Sequence, residues 1–319
     1  DLASLTKLFT MTAFMRLVEV GAVALDQPVC TILPAFSGRR PIRPYEDPLS
    51  PGAFVTVGED DGQVDAGAVT FRQLLCHSAG LPAWRPLFRQ PNADAARRMA
   101  VESYFSYQPQ QHVVYSDIGL ILLGMAVEAL SGLPLDGALA QLVMQPLGLH
   151  ETHFLPLGEP SALDAAPTEF CAWRQRRVRA EVHDENAWAL GGVSGHAGLF
   201  STATDLARFG QLYLDGGAPL LQPETVAEMT RVQSQEGSTR RGLGFALWSP
   251  DPEASSNPFS QQAFGHTGFT GTSLWIDPQA DLVVALLTNE VYYGRINRNI
   301  MPLRVAVHRA VLDGMIGTG

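Results

Sequence analysis

The stretch Ser4-Leu5-Thr6-Lys7, at the start of the apolar run that ends near Val20, decides how this chain is read. Lys7 is the only lysine among 22 cationic residues, so the other 21 are arginine. As plain surface charge, a guanidinium would serve as well; what arginine cannot do is lose its proton. An ammonium that is desolvated or set beside other cations has its pKa lowered far enough to act as a general base. Helical positions i and i+3 share a face, so the Ser4 hydroxyl and the Lys7 amine can meet as nucleophile and base within one turn. The pattern predicts a helix over about Leu5 to Val20, stopped by Gly21, with Leu8, Met11, Met15 and Val18 on one side. With 18 serines in 319 residues, a serine three before the sole lysine arises by chance about once in eighteen, so the motif needs company.

Two later motifs supply it. Tyr115-Ser116-Asp117 follows the polar Gln108-Pro109-Gln110-Gln111 and opens the apolar run Ile118 to Leu130, with Ser116 or Asp117 as N-cap and Gly132 as stop. Tyr115 therefore sits where a loop enters a helix and a phenol can project into a cleft; a hydrogen-bonded core aromatic is the plainer alternative. His266-Thr267-Gly268 lies between Ala263-Phe264-Gly265 and the strand-like Thr272 to Asp277, where glycines at 265, 268 and 271 let a ligand approach backbone along a strand edge. Taken alone, that triplet reads equally as a glycine-rich turn.

In this order the three motifs resemble the serine β-lactamase and penicillin-binding protein superfamily, of which Ser-x-x-Lys is a signature. The likeness is greatest to the class C β-lactamase-like branch, which includes DD-peptidases and family VIII carboxylesterases. Leu74-Leu75-Cys76-His77-Ser78-Ala79-Gly80-Leu81-Pro82, Gly198 to Ala203 with Asp205 to Phe209, and Trp275 to Pro278 followed by Val283 to Asn289 look like further segments of that branch. The resemblance runs from residue 1 to about 315. It implies a β-lactamase/transpeptidase-like α+β fold, an antiparallel sheet flanked by helices plus a mostly helical region. In one unit over 1–319, residues 1–21 and about 236–319 would form the sheet side and about 22–235 the helical side, with the site in the groove between.

Carried over, the resemblance implies that Ser4 attacks a carbonyl to give an acyl-enzyme while Lys7 takes its proton. Tyr115 would relay protons as phenol or phenolate. The amides of Ser4 and Phe269 would form an oxyanion hole, worth about 3 kcal/mol per donor in comparable sites, leaving the Phe269 side chain free to vary. His266, Thr267, Gly268 and Asp117 would contact substrate. Two positions depart from the usual pattern: Asp117 stands where asparagine is usual, and His266 where lysine is, a cation only below its reference pKa of ~6.5. Both cut positive charge, weaken the case for a ligand carrying a carboxylate and suit a neutral ester or amide. In the family two strands and a helix precede the nucleophile. The chain as given is therefore expected to lack N-terminal strands, to leave an interior strand as an edge, and to be a poorly stable fragment.

Composition sets outer limits. A net charge of -10 argues against nucleic acid and anionic membrane surfaces. No run reaches the ~20 apolar residues of a membrane span. Location is undetermined, with an extracytoplasmic placement slightly favoured, and oligomeric state is not readable. Cys30, Cys76 and Cys171 are odd in number and lack metal or disulfide spacing. Beside His77, Cys76 reads as a small buried hydrophobe. His150-Glu151-Thr152-His153 follows a turn and lacks zincin spacing, so no metal and no cofactor are expected. Gly192-Val193-Ser194-Gly195-His196 lacks the second glycine of a nucleophile elbow. Ser194 is not expected to be a nucleophile, though Ser194 and His196 could touch substrate. His183-Asp184 reads as an orienting pair or, preferred, as a salt-bridged surface pair, and Arg174 to Arg179 as a solvated basic face.

The sequence therefore points to a serine hydrolase acting through an acyl-enzyme on an ester or amide, with a small molecule or peptide as substrate. The candidates are a DD-carboxypeptidase-like peptidase, a carboxylesterase or a weak β-lactamase. The alternative is a non-catalytic ligand-binding or regulatory relative.

Overall fold

The computed structural model describes residues 1–58, 62–158, 164–296 and 298–316; residues 317–319 of the expected unit lie outside them. A single 3-10 turn, Ala3–Leu5, runs directly into helix α1 (Thr6–Glu19). Leu8, Met11 and Met15 are buried, but so is every residue from Thr6 to Met15. The helix is therefore not one-sided; it passes through the core, as an all-round apolar helix must. Its threonines are satisfied locally: Thr12 bonds the Leu8 carbonyl and the Tyr213 hydroxyl, and Thr10 the Gly195 carbonyl.

The middle of the chain is helical, with short two-stranded pieces. Strands β1 (Arg39–Pro41) and β4 (Gln63–Asp65) pair, as do β2 (Tyr45–Glu46) and β3 (Phe54–Val55). So do β5 (His153–Phe154) with β8 (Leu199–Phe200), and β6 (Phe170–Cys171) with β7 (Arg176–Arg177). The proline-rich segment Pro41 to Pro51 is thus partly structured, because Tyr45 is buried and gives its segment a reason to pair.

Helices α2 (Phe71–Leu75), α3 (Ala93–Val101), α4 (Asp117–Ser131), α5 (Leu135–Leu139) and α6 (Glu185–Ala189) precede α7 (Ala203–Leu214) and α8 (Pro223–Thr230). Helix α5 continues as one π turn, Ala140–Met144. Side-chain caps mark the starts of several: Thr70 and Gln73 form a capping box on α2, Ser116 caps α4 and Thr202 caps α7. Gly132 ends α4 with φ +70°, as its sequence position predicts.

One six-stranded antiparallel sheet gathers the end of the chain in the order β14-β13-β12-β11-β10-β9. Its members are β9 (Ser234–Glu236), β10 (Thr239–Arg241), β11 (Ala246–Leu247), β12 (Phe264–Thr267), β13 (Ser273–Asp277) and β14 (Leu282–Leu286), followed by helix α9 (Ile300–Ile316). The β9–β10 hairpin carries glutamine, glutamate, threonine and arginine with no apolar alternation, so period-2 reading passes over it. Strand β11 is only two residues long. His266-Thr267 lies on β12, an interior strand, so only its end reaches the cleft rather than an open edge. Helix α7 packs on β13 and β14; Phe9 and Phe209 stack at 4.1 Å between α1 and α7.

Candidate active site

Ser4 sits in a turn held from three directions. The Leu2 amide donates to the Leu199 carbonyl of β8, Thr272 donates to the Leu2 carbonyl and Thr270 to the Asp1 carbonyl. Ala3 is forced to φ +48°, sparsely populated for a residue with a Cβ. Gly268 permits the close approach: a Cβ there would lie 2.0 Å from the Thr272 hydroxyl and 2.6 Å from the Leu2 carbonyl.

The Lys7 amine, 1% exposed, donates to the Ser4 hydroxyl at 2.8 Å and to the His196 carbonyl at 3.0 Å, and it forms an ion pair with the Asp117 carboxylate at 2.8 Å. Tyr115 lies beside this set, its ring 4.9 Å from the Lys7 amine. Ser4, Tyr115, His266, Thr267, Gly268 and Phe269 all line one cavity of about 770 Å³. The amides of Ser4 and Phe269 donate to no described group of the protein.

The charge state of this cluster corrects the sequence expectation. Burial pushes the Lys7 amine down, but the Asp117 carboxylate and Tyr115 outweigh it, and the net direction is up. At rest Lys7 is therefore an ammonium, not the free amine that its burial alone suggests. Asp117, expected to repel a substrate carboxylate unless paired, is paired. Burial also pushes the Tyr115 phenol up, partly offset by Lys7. His266 is held down at about 3, by burial first and then by Lys7 and Arg241, so it is neutral. Its Nδ1 donates to the Thr267 carbonyl at 2.7 Å, leaving Nε2 as a bare, buried acceptor.

Several neighbours were read differently in the sequence. His183 is buried; Asp184 caps α6 through the Ala187 amide and takes the His196 Nε2 hydrogen at 2.9 Å, so the two are not a surface ion pair. Ser194 and His196 are buried, hydrogen-bonded to each other at 2.8 Å and absent from the cavity lining. Arg174 is not solvated: its buried guanidinium donates to the Val182 and His183 carbonyls. The Phe269 side chain is not free to vary, for it lies between Arg298 at 4.3 Å and Arg295 at 5.5 Å and stacks on His183.

Arg241 of β10 was missed. Its guanidinium lies 5.3 Å from the Tyr115 ring and lines the cavity, yet among the described residues its side chain makes no hydrogen bond or ion pair. Nothing in the sequence separates it from Arg240, which lines the same cavity but donates to the Trp248 carbonyl. His77 flanks the other side of Tyr115 at 4.7 Å, takes the Ser116 amide hydrogen on Nδ1 and so carries its own hydrogen on Nε2. Donor atoms of Asp117, Asp184 and His196 lie within 4.8 Å of one another, close enough for a cation, but the Lys7 ammonium already supplies that charge.

Comparisons with known proteins identify the family and the fold. The β-lactamase family profile matches residues 1–305. A Salmonella schwarzengrund protein assigned provisionally as a D-alanyl-D-alanine carboxypeptidase is 32% identical over 359 aligned positions, covering all of this chain and 77% of that protein. The hydrolase EstCE1, described as having promiscuous acyltransferase activity, superposes with a TM-score of 0.67 at 25% identity, covering 97% of this chain and 84% of its own. Simvastatin synthase from Aspergillus terreus shares the fold with a TM-score of 0.70 at 22% identity, over 98% of this chain and 83% of its own. The chain belongs to the β-lactamase family and has the α+β fold of its hydrolases.

Proposed function

We propose that this protein is a serine hydrolase that forms an acyl-enzyme on Ser4, acting on a peptide or related amide that ends in a carboxylate. The observation that carries the reading is the 2.8 Å contact between the Ser4 hydroxyl and the sole lysine at the wall of the cavity. Ser4 attacks the carbonyl carbon, its proton passes to Lys7 once that amine is neutral, and the Ser4 and Phe269 amides receive the oxyanion. The leaving group takes a proton back through Lys7 or Tyr115, and water then cleaves the ester. Because Lys7 rests as an ammonium, the competent fraction grows with pH and activity rises into the alkaline range.

The substrate class rests on Arg241. A half-buried guanidinium with no partner is costly, and a carboxylate meets its planar donor fork well. It restores the positive charge that Asp117 and His266 remove, which favours a DD-carboxypeptidase-like substrate over a neutral ester. The curated relative's provisional assignment supports the same choice.

A labelled fluorophosphonate or penicillin tests the chemistry. Covalent labelling that disappears in Ser4→Ala supports the proposal; an unlabelled but folded protein favours the non-catalytic alternative. Comparing a D-Ala-D-Ala peptide with a p-nitrophenyl ester and nitrocefin tests the substrate.

A further inference from the structure

Behind Lys7, on the side away from the cavity, the segments around 184 and 196 meet in a buried hydrogen-bonded chain. Asp184 accepts from His196 Nε2 at 2.9 Å, and the Ser194 hydroxyl bonds His196 Nδ1 at 2.8 Å. The ring, 1% exposed, is held at both ends. That fixes the peptides on which α1 rests: the Gly195 carbonyl takes the Thr10 hydroxyl at 2.9 Å and the His196 carbonyl takes the Lys7 amine at 3.0 Å. Asp184 also adds a second carboxylate close to Asp117. Ser194 is not a nucleophile here, since it is buried and faces no cavity that could hold a substrate.

We propose that Asp184 and His196 form a positioning pair that keeps Lys7 charged and aimed at Ser4 in the free enzyme. This deepens the acyl-enzyme reading and rests on it for its catalytic meaning. Two links connect the pair to Lys7. One is mechanical, through the His196 carbonyl. The other is electrostatic: burial would push the Asp184 carboxyl up, but His196, the Ala187 amide and the Lys7 ammonium outweigh it and hold it down. The attraction is reciprocal, so the Asp184 anion favours the charged form of Lys7. The other groups facing Lys7 are Asp117, Tyr115, His77 and His266. Those facing Asp184 are His183, Arg174 and Glu185. Neither His77 nor His266 brings a positive charge to the cluster at neutral pH, because burial holds both well down.

Asp184→Asn separates the charge from the scaffold. Asparagine caps a helix as well as aspartate does and still accepts from His196 and Ala187, so the fold is kept while the anion is lost. Because Lys7 is the only lysine, protein made with [15N]lysine gives one Nζ resonance, and its titration reports this residue alone. The native midpoint is expected above the ordinary lysine value of ~10.4. In Asp184→Asn it should fall by about half a unit, less than the loss of Asp117 would give, with the thermal midpoint nearly unchanged. An unchanged Nζ midpoint in a folded variant would overturn the proposal. If the variant does not fold, the native protein still decides, since a midpoint at or below that of ordinary lysine also overturns it. The titration needs no turnover, so its failure is distinct from failure of the acyl-enzyme reading, which Ser4→Ala labelling tests separately.

Discussion

Two cations lie beside the Tyr115 ring, Lys7 at 4.9 Å and Arg241 at 5.3 Å, and they differ in what surrounds them. Lys7 is buried, ion-paired with Asp117 at 2.8 Å and hydrogen-bonded to the Ser4 hydroxyl and the His196 carbonyl. Arg241 touches the same phenol ring and has no carboxylate among the described residues. A cation whose partners are all protein groups belongs to the machinery. One without partners, open to the cavity, leaves its pairing to what binds there. The lysine can also lose its proton and the arginine cannot, so the two are not interchangeable.

The contrast breaks most sharply at Lys7. Lys7→Arg keeps the charge beside Asp117 but removes the group that can deprotonate, and turnover is expected to fall about 10³-fold with little loss of folding. Steady-state rates beside a thermal melt check this, and a nearly native rate would end the base assignment for Lys7. Arg241→Gln should raise KM about a hundredfold for a peptide ending in a carboxylate while hardly touching a neutral ester. Equal effects on the two substrates would mean that Arg241 is structural.

A smaller effect lies in Asp117→Asn. Removing the carboxylate that raises the Lys7 pKa should move the alkaline rise of kcat/KM to lower pH by about one unit, increasing activity near neutrality. A pH–rate profile that does not move would show that Asp117 leaves the base untouched. Smallest is a stability effect away from the lysine. His183 and His266 are held down at about 3 and His77 well below its ordinary value, all by burial first. In each case the unfolded chain binds the proton at higher pH than the folded one. Their stabilisation is therefore complete above ~6.5 and is lost as the pH falls towards the folded values. Thermal midpoints should drop by several degrees between pH 7 and 5; a flat profile would count against neutral buried histidines.

The sequence reading captured elements with strong local signals. Helix Asp117–Ser131 runs between the Ser116 cap and the Gly132 stop that its sequence marks. The hairpin Ser234–Glu236 with Thr239–Arg241 was invisible because its polar residues give no alternation, and with it went Arg241. His183 and Asp184 were taken for surface residues because nothing local announces burial; their partners, Thr168 and His196, come from other segments.

By itself the sequence determined that one titratable amine stands a helical turn from a hydroxyl, since that depends only on spacing and residue type. Only the tertiary structure decided the charge on that amine and what surrounds Arg241. Both depend on groups distant in the chain: Asp117 and the His196 carbonyl close on Lys7, whereas among the described residues no carboxylate closes on Arg241. Burial and pairing are properties of three-dimensional neighbours, which no local pattern encodes.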